Sequence, residues 1–165
     1  MAKHVRKKET PLIDMGSIVQ YVVMTIIFAL LIFGVKYVVL WAVHQSPTGQ
    51  CGNGILTLFE THNTGAAFNL FANQPEMIIS ASVLAALAIA FCAIVLSGKL
   101  SRETHTAMAL LTAGISMNAA ERITNGYVID YISCNFAPGL PVFNTADIMI
   151  VIGAFCLLFS VFTKR

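Results

Sequence analysis

Charged residues are scarce in this 165-residue chain, and two long stretches carry no basic residue at all. Only 11% of the residues are charged, while 57% are hydrophobic. Residues 44–76 and 126–142 contain neither lysine nor arginine. Such a composition excludes an ordinary soluble globular domain and indicates a membrane protein. The net charge of +2 is explained by membrane topology and indicates no nucleic-acid partner.

Cysteine is also rare, and the sequence has no CxxC motif and no His/Cys cluster of the kind that binds metals. We therefore predict no metal site, and the chemistry considered below requires no organic cofactor. Cys92 and Cys156 fall within apolar stretches, where they are expected to act as small packing residues. Cys51 and Cys134 fall in the two stretches without basic residues. A disulfide between them is chemically possible, and the sequence leaves that pairing open.

Four long apolar stretches are present, each close to or above the ~20 residues that a helix needs to cross a bilayer. The predicted spans are residues 18–43, 77–96, 106–123 and 143–162. They must be helical in lipid, because a helix satisfies its own backbone hydrogen bonds. The first stretch is too long for the apolar region of a cleaved signal peptide, so we expect it to be retained. The predicted fold class is a membrane all-α protein with one domain over residues 1–165.

The basic residues predict the orientation of these spans. They precede the first span, separate the second from the third, and follow the fourth: Lys3, Arg6, Lys7, Lys8, Lys99, Arg102, Lys164 and Arg165. Because basic residues concentrate in cytoplasmic segments, both termini, including a tail over residues 1–15, are predicted to be cytoplasmic. Loops 44–76 and 126–142 then face outward. Lys36, near the outer end of the first span, is expected to extend its amine to the membrane interface.

The first outward loop contains a predicted small β-sheet on the outer membrane surface. Residues 55–62 have the composition of a short strand, Asn63-Thr64-Gly65 is typical of a turn, and residues 66–71 are predicted to return as a second strand. We expect the apolar residues of this sheet to rest in the headgroup region or against a lipid-like substrate.

Polar residues cluster near the predicted outer ends of the third and fourth spans. Asn118, Glu121 and Arg122 have i, i+3, i+4 spacing and therefore share one helical face. Asn144 and Asp147 are likewise spaced i, i+3 at the start of the fourth span. Ionisable residues within or beside a membrane span are expensive and indicate a functional site.

Asp130 and Asp147 are the candidate catalytic pair. A return of the chain between the third and fourth spans would bring the two carboxylates together. Two carboxylates held close do not easily both ionise, so one keeps its proton near neutral pH. One can then activate water while the other protonates a leaving group, as in aspartic proteases. Each also has a plainer interpretation, Asp147 as a helix cap or dipole partner and Asp130 as a solvated loop residue.

Three motifs occur in order along the chain. They are Asn63-Thr64-Gly65-Ala66-Ala67-Phe68, Asn118-x-x-Glu121-Arg122-x-x-x-Gly126-x-Val128-x-Asp130, and Phe143-Asn144-x-Ala146-Asp147. The series resembles that of lipoprotein signal peptidase, the bacterial signal peptidase II family, and the resemblance covers nearly the whole chain. It implies an intramembrane aspartyl endopeptidase that removes the signal peptide of diacylglyceryl-modified prolipoproteins just before the lipidated cysteine. Two departures indicate a divergent member. Glu121 stands where the family usually has Asp, and Ile32 stands where an acidic residue usually precedes the lysine of the first span.

The resemblance also implies roles for individual residues. The implied catalytic residues are Asp130 and Asp147, the implied substrate-binding residues are Asn63, Asn118, Arg122 and Asn144, and the implied supporting residues are Glu121 and Gly65. The implied partners are prolipoprotein substrates, membrane lipids and globomycin-type inhibitors, and we expect a monomer. The implied location is the bacterial cytoplasmic (inner) membrane, multi-pass, with the active site near its outer face.

Two alternatives come from other functional classes. One is a membrane protein that binds lipoproteins without cleaving them, against which the presence of both aspartates weighs. The other is a small proton- or cation-conducting protein. The second span and the inner half of the fourth lack charges, so a relay across the bilayer is disfavoured.

Overall fold

The computed structural model describes residues 11–52, 54–66, 70–71, 74–137 and 139–163, and within them it contains four α-helices and one three-stranded sheet. In chain order the elements are α1 (Met15–Gln45), β1 (Cys51–Gly52), β2 (Leu56–Asn63), α2 (Pro75–Val95), α3 (Arg102–Asn125), β3 (Val128–Cys134) and α4 (Thr145–Thr163). The basic residues of the two termini lie outside the described residues, whereas Lys99 and Arg102, between α2 and α3, lie within them.

Local sequence signals set where the helices begin and end. Asp14 caps α1 by accepting a hydrogen bond from the Ser17 amide at 2.8 Å. Ser101 caps α3 in the same way, through the amide of Thr104. Gly126 ends α3 with a left-handed φ of 82°, and its N–H donates to the Arg122 carbonyl. This turn directs the chain from α3 into β3.

Helix α3 is the central helix, because it packs against each of the other three. More than half of its residues are buried. At Gly114 it approaches α4 so closely that an added Cβ would lie 2.6 Å from the Ala146 carbonyl oxygen. Nearby, Ile32 of α1 is 2% exposed and packs with Ala113 and Ala146. The position where an acidic residue was expected is therefore part of an apolar contact among α1, α3 and α4.

Two helices in the described part of the chain, α1 and α2, are long and apolar enough to cross a membrane. The apolar part of α4, Thr145–Ser160, is shorter. Helix α3 is the least apolar of the four, which is physically consistent with its central position, where it contacts protein on most sides. The fold is thus mostly helical, with two clear candidate membrane spans.

The sheet has the antiparallel order β1-β2-β3. The main partner of its central strand, β2, differs from the predicted one. Residues 55–62 correspond to β2, but β2 pairs with β3, which follows α3 in the chain. The prediction of a return strand over residues 66–71 is wrong for the described residues, because Ala66 lies in a bend and Leu70 and Phe71 lie in a turn. Residues 67–69 lie outside the described part. The two cysteines of this region, Cys51 and Cys134, are free thiols on β1 and β3.

Candidate active site

The predicted polar residues converge where the end of α3, strand β3, the end of β2 and the start of α4 meet. Thr61 of β2 lies opposite Asp130 of β3, and the register continues to the pair Asn63 and Val128. A cleft of about 580 Å³ opens beside them, and its lining includes both Asp130 and Asp147. A non-local strand pair therefore brings Asn63 and Asp130 together.

Asp130 is 2% exposed, and each of its carboxylate oxygens accepts a hydrogen bond from a side-chain amide. Asn63 Nδ2 donates to Oδ2 at 2.9 Å, and Asn144 Nδ2 donates to Oδ1 at 2.7 Å. These bonds fix the carboxylate plane from two sides. Asp130 is therefore a buried, oriented group, and the interpretation as a solvated loop residue is wrong.

Asp147 occupies the third position of α4 and forms a reciprocal capping arrangement with Asn144. The Asp147 amide donates to Asn144 Oδ1 at 3.1 Å, and the Asn144 amide donates to Asp147 Oδ2 at 3.0 Å. Asp147 Oδ1 also accepts a hydrogen bond from Asn118 Nδ2 at 2.8 Å. The capping interpretation of Asp147 is thus correct, and the same side chain also faces the cleft.

Asn144 bridges the two aspartates. Its side-chain nitrogen donates to Asp130 and also to Asn118 Oδ1 at 3.1 Å, while its backbone and side-chain oxygen engage Asp147. The residue is only 4% exposed. All four carboxylate oxygens of the pair therefore accept at least one hydrogen bond from three asparagines, Asn63, Asn118 and Asn144.

Burial is the main reason that the pKa of Asp130 is raised, from 3.8 to about 6. The charge of Asp147 raises it further. The hydrogen bonds from Asn63 and Asn144 and the charge of Arg122 act in the opposite direction. Asp130 is therefore suited to hold or release a proton close to neutral pH.

Arg122 joins the turn after β2 to α3 through its guanidinium. Its Nη2 donates to the Gly65 carbonyl oxygen at 2.6 Å, and Nη1 makes a longer contact of 3.5 Å to the Asn118 carbonyl oxygen. Gly65 in turn donates its N–H to Asn63 Oδ1 at 3.0 Å. The buried Arg122 Nε has no hydrogen-bond partner among the described residues. Arg122 is also one of the residues that line the cleft.

Two sets of contacts near the site were missed by reasoning from sequence. Lys36 Nζ lies 2.6 Å from Glu121 Oε2, an ion pair that was not predicted. Glu121 also accepts a hydrogen bond from the Ile129 amide at 3.0 Å. The hydroxyls of Tyr131 and Thr145 share a buried hydrogen bond that joins β3 to the start of α4. Tyr131 directly follows Asp130, and Thr145 directly follows Asn144. This adjacency to predicted site residues is the feature of the sequence that could have indicated the contact.

Comparisons with known proteins agree with this architecture. The sequence model of the family described as "Signal peptidase (SPase) II" matches residues 16–163. A protein named "Lipoprotein signal peptidase" from Thermosynechococcus vestitus is 36% identical over 112 residues, which cover 68% of this chain and 70% of that protein. Another of that name from Allorhizobium ampelinum is 37% identical over 116 residues, covering 67% and 69%. A solved structure described as a bacterial membrane enzyme has a TM-score of 0.76 at 20% identity, covering 95% of this chain and 94% of that one.

Proposed function

This chain belongs to the signal peptidase II family, and from that membership we infer that it is a protease that removes signal peptides from prolipoproteins. The names of its relatives support this function, and they give no support to a conducting protein or to a non-catalytic binding protein. We propose further that the enzyme is of the aspartic type and cleaves just before the diacylglyceryl-modified cysteine. The observation that carries this proposal is the pair of carboxylates linked through Asn144 at the cleft.

In the proposed reaction, water attacks the scissile carbonyl while it lies between Asp130 and Asp147. One carboxylate accepts a proton from the water, and the other donates its proton to the carbonyl oxygen. The resulting tetrahedral species collapses with cleavage of the C–N bond, and a proton passes to the departing amine of the lipidated cysteine. The raised pKa of Asp130 favours it as the member that holds the shared proton. The reaction then needs only these groups and water.

The remaining predicted residues have proposed roles in orienting the two carboxylates and in holding the substrate. Asn63, Asn118 and Asn144 orient the carboxylates, and Arg122, which lines the cleft, is beside a substrate bound there. The cleft also has apolar walls from α2 and α4, including Ile78, which suit a signal peptide and its lipid chains. A globomycin-type inhibitor would compete for the same polar donors. We propose that the enzyme acts as a monomer.

We propose that all four helices span the bacterial cytoplasmic (inner) membrane, with both termini in the cytoplasm. At one end of the molecule, the Asp14 amide donates to Ser97 Oγ and the Gly98 amide donates to the Leu12 carbonyl oxygen. The basic residues Lys99 and Arg102 lie at this end, so it is the candidate cytoplasmic end. The sheet and the two aspartates lie at the opposite end of the helices. The active site is then near the outer face.

Purified protein is expected to cleave a diacylglyceryl-modified prolipoprotein and to leave the same precursor uncut when its cysteine is not lipidated. The lipid anchors the scissile bond at the depth of the carboxylates, and without it the peptide is not held there. Mass spectrometry of both products would locate the cut before the cysteine. Failure to cleave several lipidated precursors would contradict the proposed function. Equal cleavage of the unlipidated precursor would contradict the proposed specificity.

The pH dependence of kcat/KM is expected to report the raised pKa of Asp130. The pair works with one proton, so kcat/KM should fall as the pH rises past about 6 and Asp130 ionises. Asn63→Ala removes a hydrogen bond that stabilises the ionised carboxylate, so it should move this bend to higher pH. A ¹³C NMR titration of the aspartate carboxyls gives the same midpoint without turnover. A bend that stays in place or moves to lower pH in Asn63→Ala would contradict the assignment.

A further inference from the structure

Glu121 connects three separate elements through a single oxygen atom. Its Oε2 lies 2.6 Å from Lys36 Nζ of α1 and accepts the Ile129 amide of β3 at 3.0 Å. The side chains of Lys36 and Glu121 are only 17% and 13% exposed. Removing one partner of a buried ion pair strongly destabilises a protein, because the other charge is left buried without a partner. The charge of the Glu121 carboxylate is therefore compensated by Lys36.

The hydrogen bond to Ile129 lies on the edge of β3 opposite β2, where further along the strand the Tyr131 and Ile132 amides donate to the Phe143 carbonyl oxygen. Strand β3 lies at the edge of the sheet and pairs with β2 on one side, where Ile129 lies opposite His62. The Ile129 N–H is directed instead to Glu121 of α3. A strand-edge N–H without a partner must find water or another acceptor, and the strand is then less constrained. Glu121 therefore constrains β3 at the residue that directly precedes Asp130.

The opposite side of Asp130 is fixed by contacts already described. Asn63 on β2 and Asn144 at the start of α4 each bind one oxygen of its carboxylate. Those two bonds align the carboxylate only if the backbone of β3 lies at the right distance from α4. The tyrosine that follows Asp130 contacts α4 through Thr145, and Glu121 holds the residue on the other side.

We propose that Glu121, held by Lys36, is a positioning residue that fixes β3 at Ile129 and so sets the position of the Asp130 carboxylate relative to Asp147. Neither residue touches the reacting atoms. Lys36 balances the charge of Glu121, whose side chain is mostly buried. The catalytic consequence rests on the proposed function, whereas the constraint on β3 can be measured without it.

Three changes separate the ion pair from the hydrogen bond. Glu121→Gln keeps an oxygen acceptor for the Ile129 amide and loses the charge. Glu121→Ala loses both. The double variant Lys36→Glu/Glu121→Lys restores an ion pair between α1 and α3, but lysine offers no acceptor to Ile129. Glu76→Gln, an exposed change in the first turn of α2, serves as the matched control.

The Ala variant and the charge-swap double variant are both expected to lower kcat about tenfold or more, with a much smaller change in KM, because a displaced catalytic group affects the reaction more than binding. Glu121→Gln should retain more of kcat than either. Amide hydrogen exchange at Ile129 should be faster in the Ala and charge-swap variants than in wild type, Glu121→Gln and the control. The charge-swap variant should recover thermal stability relative to Lys36→Glu alone without recovering kcat.

Recovery of kcat in the charge-swap variant would overturn the proposal, since it would show that only the ion pair matters. Wild-type kcat in a folded Glu121→Ala protein would overturn it as well. If wild type and Glu76→Gln both fail to cleave any lipidated precursor, the proposed function fails. Hydrogen exchange at Ile129 then decides the positioning role alone: loss of protection in the Ala and charge-swap variants supports it, and unchanged protection overturns it.

Discussion

Asparagine at either position 130 or position 147 is expected to abolish prolipoprotein cleavage, with kcat reduced at least about 10³-fold. Each carboxylate has its own proton-transfer role in the proposed reaction, and one such transfer contributes ~10²–10⁴-fold. The carboxamide of asparagine has the same shape but neither accepts nor donates the proton at the pH of the reaction. Because the two groups act as a pair, the double variant should be little worse than either single one.

The variants also change the hydrogen bonds of the site, so folding must be checked in each. Asn63 and Asn144 each donate a hydrogen bond to Asp130. In the Asp130→Asn variant, the NH₂ group of the new side chain faces one of these two NH₂ donors, and two donors cannot form a hydrogen bond. Asn63 cannot simply reverse its amide, because its Oδ1 already accepts the Gly65 N–H. One hydrogen bond is therefore lost, at a net cost of roughly 1 kcal/mol. Position 147 has the same conflict with Asn118 and the Asn144 amide.

For Asp130 a second effect opposes this loss. Its pKa is raised from 3.8 to about 6, so the native state binds more protons than the unfolded state between these pH values. The free energy of unfolding therefore falls as the pH rises through this window, by about 3 kcal/mol once Asp130 is fully ionised. Asp130→Asn removes that penalty, and its thermal midpoint at about pH 8 should equal or exceed that of wild type.

The measurements are single-turnover cleavage of a lipidated precursor and thermal unfolding in the same detergent. An inert Asp130→Asn protein that is at least as stable as wild type would show that the aspartate is retained for catalysis at a cost in stability. A folded variant at either position that still cleaves at more than a few per cent of the wild-type rate would contradict the aspartic mechanism, while the family membership would stand.

The sequence predicted the parts of this molecule that depend on local pattern. Apolar length indicated the helices. Of the three residues predicted to share one face of α3, Asn118 and Arg122 line the cleft, whereas Glu121 contacts Lys36 of α1. The capping role of Asp147 was also readable, because it depends on residues three positions apart. The assignment of catalytic roles to the predicted residues remains a proposal.

The parts that could not be predicted depend on pairing between distant segments. The partner of β2 is β3, which lies beyond two helices in the chain, and short strands carry no signal of their partner. The ion pair of Lys36 was missed for a related reason. A lysine near the end of a span usually extends to water, and only the packing of α1 on α3 brings Glu121 within reach of it.

Asn144→Ala is expected to give the second large loss, about 10²-fold or more in kcat, because one side chain positions both carboxylates. The change removes the donor to Asp130 Oδ1, the donor to Asn118 Oδ1 and the acceptor of the Asp147 amide. The last of these is a helix cap, whose loss costs about 1 kcal/mol of stability. Loss of the bond to Asp130 also raises the pKa of that carboxyl further.

Asn144→Ser separates the cap from the bridge between the aspartates. A serine hydroxyl accepts the Asp147 amide as a good cap, but it is too short to reach Asp130. This variant should recover most of the stability lost in Asn144→Ala and little of the activity. Asn135→Ala is a matched control, since Asn135 also makes side-chain hydrogen bonds, to Gly54 and Thr57 at the far end of the sheet. It should cleave at nearly the wild-type rate.

Thermal unfolding and single-turnover rates of these three variants decide what Asn144 does. If the serine variant regains activity together with stability, Asn144 is only a cap, and the two aspartates are positioned without its amide. If activity stays low while stability returns, the amide that donates to Asp130 is what aligns the pair. The second result is expected. The backbone amide of residue 144 still donates to Asp147 in every variant. Asp130 is therefore the aspartate that loses a hydrogen-bond donor, the side-chain amide of Asn144. A pH optimum displaced upward in both Asn144 variants would independently identify Asp130 as the affected group.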